Sequence, residues 1–591
     1  MKKLLNMFRY TEQDEIISSV MDGLFLTYLI STFITLLGLT IDGIIVGNFL
    51  GEEAMIAFGL LAPMRVLIEL IAGILSSGCA VVCGNLIGSG DSKKANKIFS
   101  SSFSFCILFG TFVAVIFMIF PQIFSFLVLA KGKENFLPLM SQYVRGFAPG
   151  IPAIMLCSLL IPIVQLEGDK KRIVSSTNML CVVNIVGDLF VVQYTNWNML
   201  GVALATSLSY YCSLFVLLRH IFGKNSLLRP SFSLSGLKEP LSCGMPQIFN
   251  RIATFLRDLS FNSMALYWGG PAGMLAWTVA NNCATFLSGF PKAYGSVSLS
   301  ATGVFYGEQD KNALLRLMKL AILKIFYFMG LIIVIVFLAA PLLVDLYMQD
   351  DSTSFNEAVY GLRIYGLYLI PYALNLFYMN YCQATKKKFL ANYISFMDGF
   401  GFVFLFALLF LNLMDFSTLF LSFVVGKSAV FLSILIYVCI KKKRFITSLE
   451  DILLLPEDFD VPEKDQYIST ITCKEDAINI SEKIVNFCSE HGIDKRRSIY
   501  TGLAIEEMSM IIIKSGFNEK KNRIDIKVFL KDEQVTIRIR DNCQTLTASQ
   551  RVEIQHPEDT ASNAGIRIVT IIADSFDYYA ALGINNLIIK I

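Results

Sequence analysis

The sequence predicts an all-α membrane protein of twelve transmembrane helices in two six-helix lobes, followed by an α+β cytoplasmic domain. Three observations carry this. First, 54% of the 591 residues are hydrophobic and only 16% are charged, with a mean hydropathy of +0.59; soluble domains average about 25% charge. Second, the charge is uneven: residues 445–591 hold 17 basic and 24 acidic groups, a soluble composition, while residues 1–444 carry the positive excess. Third, two motifs recur at one spacing. "GNLIGSGDSKKA" (84–95) returns as "ATGVFYGEQDKNA" (301–313), and "VQLEGDKKR" (164–172) returns as "NYCQATKKK" (380–388). That is a six-plus-six duplication, a common plan among secondary transporters. Disordered, collagen-like and coiled-coil chains are excluded by composition, as is a small disulfide-knit domain, because the 13 Cys lack regular spacing.

A bilayer core needs about 20 apolar residues per helix. Twelve stretches qualify as expected spans: 20–47, 54–80, 98–121, 137–161, 174–195, 201–222, 243–268, 272–299, 315–343, 359–381, 390–413 and 417–440. Alternate loops are basic: Lys93, Lys94 and Lys97; Lys170, Lys171 and Arg172; Lys224, Arg229 and Lys238; Lys311 and Arg316; Lys386, Lys387 and Lys388. The intervening loops carry almost no basic residue apart from Lys131 and Lys133. By the positive-inside rule both termini are cytoplasmic, in a plasma (inner) membrane. A reducing compartment and free thiols follow. The first span is not a cleaved signal peptide. The expected domains are an N-terminal lobe (12–222), a C-terminal lobe (223–444), a linker (445–465) and a soluble domain (466–591).

Polar groups at membrane depth are costly and usually line a cavity. Asp42 lies late in the first span, in "IDGIIVGNFLG". Asn184 and Asp188 are four apart in "NIVGD", on one helical face. Thr206 follows in "GVALATS". Two carboxylates, an amide and a hydroxyl suit a proton or Na⁺, since hard cations prefer oxygen and crowded buried carboxylates resist double ionisation. Arg257 and Asp258 are adjacent in the seventh span; neighbours on a helix point about 100° apart, so each is expected to face a separate partner or a central cavity. Asp398 is expected near a span end, at the surface. No metal cluster and no nucleophile–base arrangement stands out, so no catalytic residue is assigned and no enzyme activity is expected. The modest positive excess fits cytoplasmic loops and not nucleic-acid binding.

Taken in order, "IDGIIVGNFLGEEA", "GNLIGSGD", "VQLEGDKKR", "NIVGD", "GVALAT" and "GMPQIF" make the chain over about 12–440 resemble the multidrug and toxic compound extrusion (MATE) family, in its DinF-like branch. The resemblance implies two lobes forming a V that alternates between outward- and inward-facing states. It implies antiport: H⁺ or Na⁺ drives export of small amphipathic or cationic compounds across the lipid bilayer, with no cofactor required. It maps an ion site onto Asp42, Asn184, Asp188 and Thr206, with Tyr143 at a further N-lobe position. A lipid-linked precursor flippase is an alternative of similar fold, with a more cationic cavity; Arg145, Arg257 and Lys292 are compatible with it.

The tail reads as strand, two helices, two alternating strands, a helix and two closing strands. Its "LAIEEMSMIIIKSGF" (503–517), "IRIRDNCQTL" (537–546) and "NAGIRIV" (563–569) resemble the GHKL-type ATPase fold of anti-sigma-factor kinases. That likeness implies Glu507 as general base, Asp541 as the adenine acceptor and Gly565 as a remnant of the phosphate lid. Ile511 stands where the family has its Mg²⁺-binding Asn, and Cys543 where it has Gly. The expectation is a regulatory, catalytically degenerate domain, with ATP or a regulatory protein as candidate ligand. A membrane sensor with an ATP-binding output domain is the other alternative.

Overall fold

The computed structural model describes residues 10–122, 136–223, 226–345, 353–516, 522–531, 534–543 and 564–591. Lys131, Lys133 and Lys224 lie outside the described residues, as do all of 544–563, which include 544–546 of the second tail motif and 563 of the third.

The chain is mostly helical up to residue 442. The first half consists of α1 (Glu15–Ile45), α2 (Glu52–Leu60), α3 (Ala62–Gly88), α4 (Ser92–Ile119), α5 (Leu137–Phe147), α6 (Ile151–Leu166), α7 (Lys170–Tyr194) and α8 (Asn198–Ile221). The second consists of α9 (Lys238–Leu287), α10 (Gly289–Gly307), α11 (Lys311–Asp345), α12 (Thr353–Gly366), α13 (Leu369–Ala384), α14 (Lys388–Phe396), α15 (Phe402–Leu413) and α16 (Leu421–Lys442). Among the described residues nine helices are long and apolar enough to cross a membrane, three fewer than the twelve expected. The segments that fall short are 243–268, 272–299 and 359–381. They are helical, but Gln247, Asn250, Arg251, Arg257, Asp258, Asn281 and Lys292 line a cavity along the first two and lower their apolarity, and the third is divided between α12 and α13, of 14 and 16 residues. Within α9 the "GGP" sequence reverses the run at Gly270, whose φ of 61° favours glycine.

The internal repeat has a physical counterpart. Gly84 and Gly88 of α3 face Gly303 and Gly307 of α10, each pair four residues apart. A Cβ on Gly88 would lie 2.2 Å from the Val304 carbonyl oxygen, and one on Gly307 would lie 2.1 Å from that of Asn85. Small residues at this spacing let two helix backbones touch. Equivalent positions of the two repeats therefore meet in one seam.

After the membrane region, α17 (Leu449–Leu453) leads to β1 (Gln466–Ile471), α18 (Lys474–Glu490), α19 (Lys495–Gly516), β2 (Ile524–Lys531), β3 (Gln534–Asp541), α20 (Ala564–Ile572), β4 (Ser575–Ala581) and β5 (Ile584–Lys590). The strands form one antiparallel sheet in the order β1-β2-β3-β5-β4. Alternation gives it two faces. Ile526, Val528, Ile537, Ile539 and Ile589 join a core with Ile484, Ile505 and Val569 from the helices. The opposite face, with Lys527, Arg538 and Arg540, is also buried, because it docks on the membrane region. The segment expected as a linker (445–465) packs too: Leu453 and Phe459 are buried, and the Phe459 ring stacks on Tyr306 with centroids 5.0 Å apart.

Candidate functional site

The N-half acids meet in a single cluster. Helix α7 presents Asn184 and Asp188 on one face, and α1 brings Asp42 against them; all three are buried. The Asn184 amide donates to Asp42 Oδ1 at 2.5 Å and to Asp188 Oδ2 at 3.3 Å. Its own oxygen lies 3.2 Å from the Ser209 hydroxyl of α8, whose single hydrogen is shared between it and the Thr206 carbonyl at 2.7 Å; this contact favours the amide orientation with its N–H groups toward the acids. Asp188 Oδ1 is buried with no hydrogen-bond partner among the described residues. Two buried carboxyls sharing one neutral donor do not hold two negative charges cheaply; a proton or a cation is the compensating species. A π-helical turn, Val46–Leu50, begins four residues after Asp42, a distortion frequent at functional sites.

Thr206 lies one turn before Ser209, but its hydroxyl donates to the Val202 carbonyl at 3.1 Å and not to a carboxyl. Tyr143 is buried beside the cluster; its hydroxyl accepts from Arg65 at 3.5 Å, and its ring packs on Phe58 and Phe147. Arg65 and Ser209 escaped the sequence reading. A serine in an apolar helix commonly bonds its own preceding turn and gives no signal; Arg65 lies inside the expected span 54–80, and a charged group at that depth is the signal that could have found it.

The second half buries a different cluster. Asp398 is 3% exposed, so its expected surface position is corrected: a π-helical turn at Met397–Gly401 turns it inward. Lys427 Nζ donates to Asp398 Oδ2 at 2.8 Å, and the Asn375 amide donates to Asp398 Oδ1 at 2.8 Å. The Lys427 ammonium also sits 3.9 Å from the Tyr372 ring centroid.

Arg257 and Asp258 both line a cavity of about 640 Å³ with Tyr28, Gln165, Asn250, Lys292, Tyr368 and Lys427. They also pair with each other, against expectation: Arg257 Nε and Nη2 donate to Asp258 Oδ1 at 3.0 and 2.8 Å. The long guanidinium stem bends back over the angle that separates the two side chains. The cavity lining on α3 and α10 (Gly73 to Ser77 and Lys292 to Ser300) precedes the glycine seam at 84–88 and 303–307, so the seam lies between the cavity and the tail.

The tail engages the loop that follows the seam. Arg540 bonds Glu308 and lies 3.4 Å from Asp310. Arg538 donates to the Glu308 carbonyl at 2.8 Å, Tyr579 to Glu308 Oε1 at 2.7 Å, and Lys527 to Asp460 at 2.8 Å. On the other repeat the Leu582 amide donates to the Leu166 carbonyl at 2.6 Å. Burial pushes the Asp310 carboxyl up, but Lys527, Arg540 and Arg538 outweigh it and hold it well below the usual carboxylate range.

The tail motif residues are less assembled. Asp541 Oδ1 already accepts from Asn585 Nδ2 at 2.7 Å and from the Cys543 amide at 2.9 Å, and burial raises its carboxyl. Glu507 is half-buried on α19, Ile511 joins the apolar core, and Gly565 is the second residue of α20.

The MatE family model matches residues 28–190 and 246–411, more than half of the chain. The chain belongs to the MATE family. Members are transporters and not enzymes, and they are multi-pass membrane proteins. Among curated relatives, a probable multidrug resistance protein of Bacillus subtilis, YoeA, is 22% identical over 340 residues, 55% of this chain and 73% of that one. The multidrug export protein MepA of Staphylococcus saprophyticus is 22% identical over 367 residues, 60% and 78% of the two chains. A Pyrococcus furiosus transporter of the MOP superfamily, described as having a binding pocket of reverse polarity that suggests a different function, superposes with a TM-score of 0.65 at 20% identity, covering 72% of this chain and 95% of its own. A MATE multidrug transporter in an outward-facing conformation gives 0.65 at 21%, with the same coverage. The family model ends at residue 411, ahead of the tail. This MATE protein is a multidrug-efflux family transporter with a C-terminal α+β extension.

Proposed function

We propose that this MATE protein is a secondary antiporter of two six-helix lobes, driven by H⁺ or Na⁺ bound at Asp42 and Asp188, with both termini in the cytoplasm. The observation that carries the reading is the Asp42–Asn184–Asp188 cluster: two buried acids, one bridging amide and a carboxyl oxygen with no protein partner. Loading that oxygen with a cation changes the relative stability of the two lobe states, and a ligand shifts a conformational equilibrium only by such differential binding. Asn184 orients both acids; Ser209 holds Asn184. Tyr143 and Arg65 close the cluster on one side.

The tail then acts as a strap. It contacts the loops after α6 and α10, one from each repeat, at the end of the seam that an inward opening would have to part. Truncating one member of a buried ion network costs about 3–5 kcal/mol, enough to bias a two-state transporter. Protein contact, and not nucleotide turnover, is the role this supports: Asp541 is committed to Asn585 and Cys543, and no Mg²⁺-ligating Asn is present at 511. ATP binding in a regulatory capacity stays a proposal, tested by titrating the full-length protein with nucleotide.

The coupling test uses proteoliposomes with an imposed pH or Na⁺ gradient. One gradient accelerates export in the wild type, and Asp42→Asn and Asp188→Asn each remove that acceleration. Gradient response retained in both variants would refute the mechanism.

A further inference from the structure

The central cavity carries more positive than negative charge. Four basic groups line it: Arg251, Arg257, Lys292 and Lys427. Asp258 is the one acid among the lining residues. Two further acids stand behind the wall, Glu69 at 3.6 Å from Arg251 and Asp398 at 2.8 Å from Lys427. Arg257 is matched by Asp258. Lys292 remains: its ammonium forms no hydrogen bond or ion pair with any described residue. The Lys292 side chain is exposed to the cavity and not buried in the wall, so its charge is available to a ligand, and a bound anion supplies the missing partner.

The neighbouring groups suit the same ligand. Tyr365, Tyr368 and Tyr372 line the cavity beside Lys427. Their hydroxyls make no hydrogen bond with described residues and are donors for an anionic oxygen. Their rings form a run, with Tyr365 and Tyr368 centroids 4.5 Å apart and Tyr368 and Tyr372 stacked at 5.4 Å, a surface for a flat organic body. Gln247, Asn250 and Asn281 add neutral polar groups. Two or three fixed donors and a surplus ammonium reject an organic cation by like-charge repulsion and recruit its opposite.

We infer that the cavity cargo of this protein is an aromatic organic anion bearing a carboxylate or phosphate, held by Lys292 and Arg257 against the tyrosine run. This departs from the cationic substrates that family likeness implies, and it rests on the efflux reading only in that the cavity is the cargo site.

Equilibrium binding to the full-length protein in nanodiscs tests it without any gradient, so that failure here is separable from failure of ion coupling. Carboxyfluorescein serves as the anion and ethidium as the cation, read by fluorescence anisotropy. The wild type is expected to bind carboxyfluorescein at least about tenfold more tightly than ethidium, Lys292→Gln to weaken the anion about tenfold, and Lys292→Arg to retain it. Phenyl phosphate displacing the dye would assign a free anion, and phosphatidic acid displacing it a lipid headgroup; both keep the anion site. Tighter ethidium than carboxyfluorescein, no saturable anion binding, or an unchanged anion affinity in Lys292→Gln would overturn the inference.

Discussion

The two repeats bury acids in comparable places and complete them in opposite ways. In the first, Asn184 bridges Asp42 and Asp188, and among the described residues no basic side chain bonds either carboxyl. In the second, Asn375 bonds Asp398, and the Lys427 ammonium closes the charge from within the protein. Asp398 lies within a π-helical turn, Met397–Gly401, and another, Val46–Leu50, begins four residues after Asp42. The same ingredients thus leave an uncompensated acid pair in one half, which is the proposed cation site, and a self-neutralised pair in the other. The proposal rests on that difference: buried charge alone does not suggest coupling, whereas buried charge lacking an internal partner does.

The contrast makes predictions of decreasing size. The largest is functional. Asp188→Asn lowers gradient-driven export by at least about tenfold with little loss of thermal stability, because removing an uncompensated buried charge relieves a cost. Asp398→Ala does the reverse: it orphans Lys427 and lowers unfolding stability by about 3–5 kcal/mol, measured by thermal denaturation in detergent. If Asp398→Ala left the melt unchanged, the structural role would be lost. Next, the double change Asp398→Asn with Lys427→Met recovers most of that stability, since a buried pair replaced together is often neutral; a double variant as unstable as the single one would contradict it.

Smaller effects separate the residues around the first cluster. Ser209→Ala frees the Asn184 amide to turn and lowers coupling, whereas Thr206→Val leaves it within about twofold, because the Thr206 hydroxyl bonds only its own helix. Equal losses in vesicle transport would restore Thr206 to the site.

The smallest expected effect is a pH dependence that fails to appear. Asp310 is held below its unfolded value, so its contribution to tail docking is complete above about pH 4 and is lost only as pH falls through the lower folded value. Protection of the tail from limited proteolysis is therefore flat between about pH 5 and pH 8. Release of the tail within that window would mean another group governs docking.

The sequence exposes these features unequally. Asp42, Asn184 and Asp188 stand out because a carboxyl in an apolar span has no ordinary reason to be there. The tail elements are legible because β2 and β3 alternate strictly and α18 and α19 are amphipathic. What alternation conceals is the fate of the polar face: Lys527, Arg538 and Arg540 follow the pattern of a solvated strand, yet they are buried against Glu308 and Asp310. Their partners lie more than 200 residues away, and no local pattern reports such a pairing. The cavity hides in the same manner. Its cations are scattered over α9, α10 and α16, and only the fold brings them around one space. Apolar counting likewise undervalues α9 and α10, whose polar residues face that space and not lipid.

The most direct test of the coupling site is cation-driven transport in proteoliposomes containing wild type, Asp42→Asn, Asp188→Asn or Asp398→Asn with Lys427→Met, each verified as folded. The account predicts that a pH or Na⁺ gradient drives the wild type and the second-repeat double variant, and drives neither single N-half variant. Full gradient response in Asp42→Asn and Asp188→Asn, or its loss only in the second-repeat variant, would contradict it.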